Sequence, residues 1–417
     1  MKTVAIIGAG QRGQYVYAEY IKNHPEEAKI IAVVEPNDFK RNRLVKNHGI
    51  KDENIFKSTG DFFSKGKIAD LLIIATMDEM HYDQTLQAIE LGYDILLEKP
   101  ISPSKDECLE IVRKAEEKGT LLMICHVLRY TPFFRKIKEI IKSGVIGEIV
   151  NIQHNENVGM WHMAHSFVRG NWRREEDTSP IILQKSCHDL DILVWLVDDE
   201  CEKISSFGDL TFFTENNKPK GAADRCINCN VKDCIFDARK AYLPIKGDWP
   251  ANVVSDIQEE EEILKSLSEN QYGRCVFSCD NTVCDHQVTI IKFKNGVTAT
   301  FNLSGFTHEI SRTIKIMGTK GEIRGNDANS SIEVIKFTSN AVEEIKKDIY
   351  KVDVFDGGHN GGDEGLMKDL FNILKTGSKE SESSAIKSLQ SHLMSFAAEE
   401  SRLNNKVVKI QDMMGDN

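Results

Sequence analysis

Short, almost uninterrupted apolar runs alternate with amphipathic stretches through the first 125 residues. Residues 3–8, 29–35, 70–76, 94–97 and 121–125 read as strands with no polar face. Between them, residues 14–22, 38–46, 81–91 and 102–118 read as helices, the second capped at Asn37 or Asp38. Strands that are apolar on both sides need cover on both sides. Intervening helices supply it, so the pattern predicts a parallel, doubly wound α/β sheet.

After Thr131 the pattern changes. A helix over 132–143 and a strand over 147–156 are followed by a long helix over 181–197. Strands then dominate, at 204–213, 283–294, 296–304, 313–318 and 322–325, with a hairpin turn at Asn295-Gly296. Helices return at 363–375 and 383–401. The chain therefore divides into an α/β domain over 1–126 and an α+β domain over 127–417. The second domain is expected to carry a large, mostly antiparallel open sheet, with a poorly periodic, Cys-containing insertion at about 215–275.

A length of 417 residues allows two or more cores. The balance of 53 basic against 64 acidic residues, net −11, argues against nucleic acid or an anionic membrane as the main partner. No apolar run reaches the roughly 20 residues of a membrane helix. With no leader-like segment, the expectation is a cytoplasmic protein, whose ten cysteines are thiols or metal ligands.

The first strand ends in Gly8-Ala9-Gly10-Gln11-Arg12-Gly13 and a helix follows. Strand, G-x-G-x-x-G and helix together form the dinucleotide-binding fingerprint of a Rossmann domain. Gly8 makes the turn, Gly10 lets a pyrophosphate approach the backbone, and Gly13 permits close helix–strand packing, with Gln11 and Arg12 on the cofactor side of the turn. Glu35 closes the second strand, 22 residues after Gly13, where a carboxylate can hold ribose hydroxyls. It favours NAD, with NADP through Arg41 or Arg43 as the lesser alternative. Glu98-Lys99-Pro100 ends another strand, and Lys99 could polarise a substrate hydroxyl beside the nicotinamide.

These residues, with Ala75-Thr76 and His81 five positions on, resemble the glucose–fructose oxidoreductase / inositol dehydrogenase / MocA (Gfo/Idh/MocA) family over nearly the whole chain. The resemblance implies that Thr76, His81, Glu98 and Lys99 lie at the cofactor, that Lys99 is catalytic, and that the chain forms a dimer or tetramer. It also implies a catalytic histidine in the second domain, which falls on His188. Gln184, His188 and Asp191 share one face of the predicted helix, with Lys185 beside it. A histidine there suits a general base. Gln184 stands where inositol-dehydrogenase-like members have Asp, so the substrate is expected to differ from inositol. His165, Arg169, Trp172 and Arg173 offer stacking and hydroxyl-binding groups for a sugar, joined by Gln184, Lys185 and, from the glycine-rich stretch 357–363, His359.

The insertion carries Cys226-x2-Cys229-x4-Cys234, with Cys275 as fourth ligand and Cys279 as its rival. Four such cysteines suggest a structural zinc. The functional expectation is an NAD-dependent oxidoreductase that takes a hydride from a secondary hydroxyl of a sugar, glycoside or cyclitol, with Lys99 and His188 catalytic. One alternative is a glycosidase using bound NAD in a transient oxidation–elimination–reduction cycle. Another is a non-catalytic NAD- and sugar-sensing protein.

Overall fold

The computed structural model describes residues 1–340, 345–353, 358–378 and 380–414. Six parallel strands make the first sheet: β1 (Lys2–Ile7), β2 (Ala28–Val34), β3 (Ile55–Phe56), β4 (Leu71–Ile74), β5 (Asp94–Leu97) and β6 (Leu122–Ile124). They run in the order β3-β2-β1-β4-β5-β6. On β1, Val4 and Ile6 enter one core and Ala5 and Ile7 the other, all within 1% of full burial. That is the strand alternation expected of a sheet covered on both faces. The strand order reverses between β1 and β4, so the carboxyl ends of β1, β4 and β5 border the crevice where such sheets bind ligands. β3 is absent from the sequence reading because two residues leave no periodic signal.

The second domain is built on a nine-stranded sheet: β7 (Ile149–Asn157), β8 (Cys201–Asp209), β9 (His286–Phe293), β10 (Thr298–Ser304), β11 (Ser311–Gly318), β12 (Gly321–Asn326), β13 (Ser331–Lys336), β14 (Lys346–Lys351) and β15 (Val408–Lys409). Its order is β14-β13-β12-β11-β7-β10-β9-β8-β15. β7 and β10 pair in parallel, and the remaining pairs are antiparallel. The β9–β10 hairpin turns at Asn295-Gly296, where Gly296 takes φ +92°. β14, with the sequence KKDIYK, is an exposed edge strand. Its lysines suit an edge that must not pair further, and they also hide it from a hydrophobicity reading.

Two differences bear on the site. The C-terminal helices return to the first domain. Leu366, Met367, Leu370 and Phe371 of helix Gly362–Thr376 share a core with Val4 and Ile6, and His392 of helix Ala385–Asn404 accepts the Ile101 N–H at 2.9 Å. The helix expected over 181–197 is in fact two, Ile181–Gln184 and Cys187–Val197, broken at Lys185-Ser186. In an unbroken helix the Gln184 carbonyl would partner the His188 N–H. Here it accepts a hydrogen bond from Lys99 Nζ.

Candidate active site between the two domains

Steric demands fix the glycine turn. Gly8 sits at φ +93°, and a Cβ there would lie 2.4 Å from the Ala75 carbonyl oxygen. A Cβ on Gly13 would lie 1.9 Å from the Gly8 carbonyl oxygen, which is prohibitive. A Cβ on Gly10 would meet nothing within 4 Å. Gly10 thus faces the open side of the turn, where a pyrophosphate would sit against the start of the helix, beside the exposed Gln11. This cradle fits a dinucleotide.

The acid after β2 closes the turn from the other side. Glu35 accepts the Ala9 N–H at 2.8 Å and the Asn37 N–H at 2.9 Å. Arg41 is spent on the Glu35 and Pro36 carbonyls, at 2.7 and 3.2 Å, and on Asp38. Arg43 lies over the Phe39 and Tyr15 rings. Thr76, after β4, donates to Gln84 at 2.7 Å.

Three residues expected at the cofactor, Arg12, Glu98 and His81, have partners within the protein. Arg12 turns away from the phosphate position to Asp363, at 2.7 Å, to the Tyr17 hydroxyl, at 2.8 Å, and to Glu98. Glu98 is consumed by this cluster: it also accepts from Tyr17 and, at 3.1 Å, from the Lys99 N–H. Burial would raise the Glu98 carboxyl, but the Arg12 charge and the Tyr17 hydrogen bond outweigh it and hold the group below its ordinary value. His81 is fully buried, with Nδ1 2.7 Å from the Pro100 carbonyl and Nε2 3.3 Å from the Thr76 carbonyl. It braces the loops after β4 and β5 and does not itself reach the crevice.

From this frame Lys99 crosses to the second domain. Its ammonium docks on the Gln184 carbonyl, at the end of the first half of the broken helix. His188 lies in the first turn of the second half, 4% exposed, its Nδ1 buried and, among the described residues, without a hydrogen-bond partner. Burial pushes its pKa well below 6.5, and the charges of Lys99, His126, His359 and Arg312 push in the same direction. The imidazole is therefore neutral at neutral pH and can accept a proton.

The expected one-face triad of Gln184, His188 and Asp191 is not formed, because the helix breaks between its first two members. The Gln184 amide is tied to Thr178 and Ser179. Asp191 is gripped by Arg129 through two bonds, at 2.6 and 2.7 Å. In their place stands a buried network. Lys185 pairs with Glu156 at 3.1 Å, and Arg312 joins Glu156 at 2.6 Å to Asp189 at 2.8 Å. Asp189 also takes His154 at 2.8 Å. Two cations balance two anions, as burial requires. Glu156 and His154 were legible as an anomaly: with Ile152 they occupy the inward positions of β7, yet two of the three are polar.

On the other side, the His359 ring centroid lies 5.7 Å from that of His188, and its Nδ1 is 3.1 Å from Asp363. Asp363 thus joins His359 to Arg12 of the glycine turn. Burial opposes its charge, but Arg12 and His359 prevail and hold the carboxyl far below its ordinary range. Of the glycine-rich stretch, Gly357 lies outside the described residues.

The aromatic and basic cluster before residue 181 belongs mainly to the insertion. His165 bonds the Tyr242 hydroxyl at 2.9 Å and stacks on Tyr272 at 4.9 Å. Arg169 donates to the Arg274 and Phe236 carbonyls, each at 2.7 Å. Arg173 pairs with Asp280 at 2.8 Å. Where these three were expected to bind a sugar, the structure engages His165 and Arg169 with the insertion and Arg173 with Asp280 just beyond it, and Trp172 is 37% exposed. The neighbour that does approach the network is His162, a member of the same polar cluster that was not singled out as a site residue. It is half-buried, and the Lys185 charge adds to desolvation in lowering its pKa. The expected zinc set is likewise not assembled: Cys226, Cys229, Cys234 and Cys275 line one small cavity, but among the described residues no three potential ligands stand in metal-holding geometry.

Comparison with known proteins agrees with this architecture. Residues 2–126 match the model described as "Oxidoreductase family, NAD-binding Rossmann fold", and residues 138–410 match "Oxidoreductase family, C-terminal alpha/beta domain". The chain is 26% identical over 315 residues to a putative oxidoreductase, YteT, of Bacillus subtilis, covering 72% of each chain. It is 28% identical over 213 residues to 2,7-anhydro-N-acetylneuraminate hydratase of Mediterraneibacter gnavus, a match that spans 50% of this chain and 53% of the hydratase. The fold superposes with a TM-score of 0.72 on levoglucosan dehydrogenase in complex with NADH and levoglucosan, at 17% identity over 98% of this chain and 99% of that one. The nucleotide cradle of the first domain, the open sheet of the second and the cleft they share make this chain a member of the Gfo/Idh/MocA family of NAD-binding oxidoreductases.

Proposed function

We propose that the chain is an NAD-dependent dehydrogenase of a secondary hydroxyl in a sugar, glycoside or cyclitol, with Lys99 and His188 as its catalytic residues. The observation that carries this reading is the meeting of the two across the domain boundary: Lys99 docked on Gln184, four residues before a neutral, buried His188 with a ring nitrogen that has no partner among the described residues. Bound NAD would supply the hydride acceptor. The neutral His188 ring takes the hydroxyl proton, and the Lys99 ammonium stabilises the negative charge that develops on that oxygen. His359, whose ring centroid lies 5.7 Å from that of His188, and Lys185 and His162 of the neighbouring network are the groups we assign to the remaining hydroxyls. Glu35 at the ribose end, with Arg41 engaged by main-chain carbonyls, favours NAD over NADP. Retention of both Lys99 and His188 speaks against a sensor without chemistry.

The hydratase relative supports a second reading, in which the same residues run a transient oxidation, an elimination and a reduction, with no net change in NAD. Incubation with NAD and a panel of sugars, cyclitols and aryl glycosides separates the two. Growth of reduced-nicotinamide absorbance is the expected result. Aglycone release or water addition without net reduction establishes the second reading, and no turnover with tight binding of both ligands contradicts both.

A further inference from the structure

The insertion delivers a tryptophan to the edge of the candidate active site. Trp249 lies in the short stretch between the turn Leu243–Ile245 and the helix Ala251–Val254. Its ring centroid is 5.1 Å from that of His162, at 88°, and 5.3 Å from that of Trp161, at 62°. His165, itself stacked on Tyr272, meets the same indole at 5.7 Å. Yet Trp161 and Trp249 are each 38% exposed. Aromatic side chains usually bury most of their large surface, so a contiguous pair left half open marks a place that a ligand covers.

Both rings are held in place by their own segments. Gln258 ties the chain on either side of Trp249: it accepts the Gly247 N–H at 2.8 Å and donates to the Ala251 carbonyl at 3.4 Å. Trp161 sits on the short helical turn Met160–His162 that follows β7. There the Gly159 N–H donates to Thr307 Oγ1 and the Met160 N–H to the Thr307 carbonyl, each at 2.9 Å. A π-helical turn, Met163–Arg169, continues from it, a form that is rare and recurs at functional sites. The rings are also continuous with the catalytic residues. Glu156 of β7 pairs with Lys185, the neighbour of Gln184 on which Lys99 docks, and the Lys185 charge reaches His162 under Trp249. Lys185 and Arg312, the lysine and arginine whose charges bear on His162, are paired with Glu156 and Asp189. An anionic ligand would find those charges already balanced, so the place suits a neutral one. A sugar ring fits: its C–H face is apolar enough for an indole, and its rim of hydroxyls suits the imidazole and the network beside it.

We propose that Trp249 and Trp161 form a subsite for a second sugar ring, joined through a glycosidic bond to the ring that reacts, so that the insertion makes this chain selective for a disaccharide over a single sugar unit. The proposal rests on the reading of Lys99 and His188 as the reaction centre and narrows its substrate class. Binding energy from a ring that does not react can be used in the transition state, so its loss lowers kcat as well as raising KM. The insertion then has a task at the site: it supplies one wall of the subsite, and Gln258 and the aromatic cluster around His165 hold that wall before the ligand arrives.

The test titrates the full chain, loaded with NAD, with a panel of hexose disaccharides and with the methyl glycosides of the same hexoses, and reads affinity by calorimetry. At least one disaccharide is expected to bind roughly tenfold more tightly than its methyl glycoside. Trp249→Ala should remove that preference while leaving NAD and methyl-glycoside affinity within about twofold of the parent. Trp249→Leu, apolar but without a ring, gives the same reading if the alanine variant loses NAD. Trp195→Phe, which alters an indole held by Glu382, should keep the preference. Equal affinities in the parent, binding of none of the sugars, a preference that survives loss of the Trp249 ring, or one lost in Trp195→Phe overturns the subsite. A nucleoside diphosphate held through Trp249 more tightly than any disaccharide overturns it in favour of an anionic occupant. A disaccharide held through Trp249 but never oxidised upholds the subsite and contradicts the dehydrogenase reading. Oxidation of a single sugar unit that Trp249→Ala leaves unchanged, with no gain for any disaccharide, does the reverse.

Discussion

At the scale of single residues, the site depends on a few side chains held in place by others. Asp363 is one: it fixes His359 and Arg12 at once, joining the substrate side to the glycine turn. Asp363→Asn preserves shape and removes the charge. Hydrogen bonds to charged groups contribute about 1.5–3 kcal/mol, so kcat/KM should fall at least about tenfold. Steady-state kinetics with the substrate that the sugar panel identifies would check it, and an unchanged kcat/KM would remove Asp363 from this role. Much of this scale was legible. Lys99 drew notice at the end of a strand and His188 on a predicted helix, and it was the family resemblance that implied a catalytic role for each. Arg12, His81, His165, Arg169 and Arg173 have partners within the protein that were not legible, because a polar side chain in a sequence does not reveal whether its partner is a ligand or a distant group of the same chain.

At the scale of elements, the glycine turn separates two roles that the motif alone runs together. Gly13→Ala forces a carbon to 1.9 Å from the Gly8 carbonyl and should destabilise the first domain by several kcal/mol. Gly10→Ala meets nothing within 4 Å. It should leave stability within about 0.5 kcal/mol of the parent while weakening NAD binding. Denaturation curves and NAD titration of the two variants check both halves; a Gly10→Ala chain that binds NAD normally would place the pyrophosphate elsewhere. The broken helix at Lys185-Ser186 is where periodicity failed. Apolar spacing continues through the break, and the carbonyl freed there is taken by a lysine 85 positions away in sequence, which no local window contains. The strands β13 and β14 were missed because their exposed charges dilute the alternation.

At the scale of the whole molecule, among the described residues four buried histidines, His126, His165, His188 and His392, and the half-buried His162 have lowered pKa values, with His165 and His392 at about 3. In each case burial is the first cause. A histidine kept neutral in the fold but free to protonate near pH 6.5 when unfolded contributes stability that is present above pH 6.5 and lost as pH falls toward the folded value. The chain should therefore lose stability between pH 6.5 and 5, before most carboxylates titrate. Urea midpoints at pH 7.5 and 5.5 check this; an equal or higher midpoint at pH 5.5 would contradict it. His392→Gln, which can still donate to Ser388 and accept from Ile101, should flatten part of the slope. The two-layer organisation was legible throughout, since hydropathy patterns report which faces are covered. The return of the C-terminal helices to the first domain was not, because an apolar helix face does not name its partner.

The central claim is that Lys99 belongs to the chemistry and the glycine turn to the cofactor. Lys99→Ala tests it most directly, with NAD affinity and substrate turnover measured on the same preparation. The account predicts an NAD dissociation constant within a few-fold of the parent and a kcat lower by a factor of about 10²–10⁴. Turnover at the parental rate with NAD still bound would contradict it.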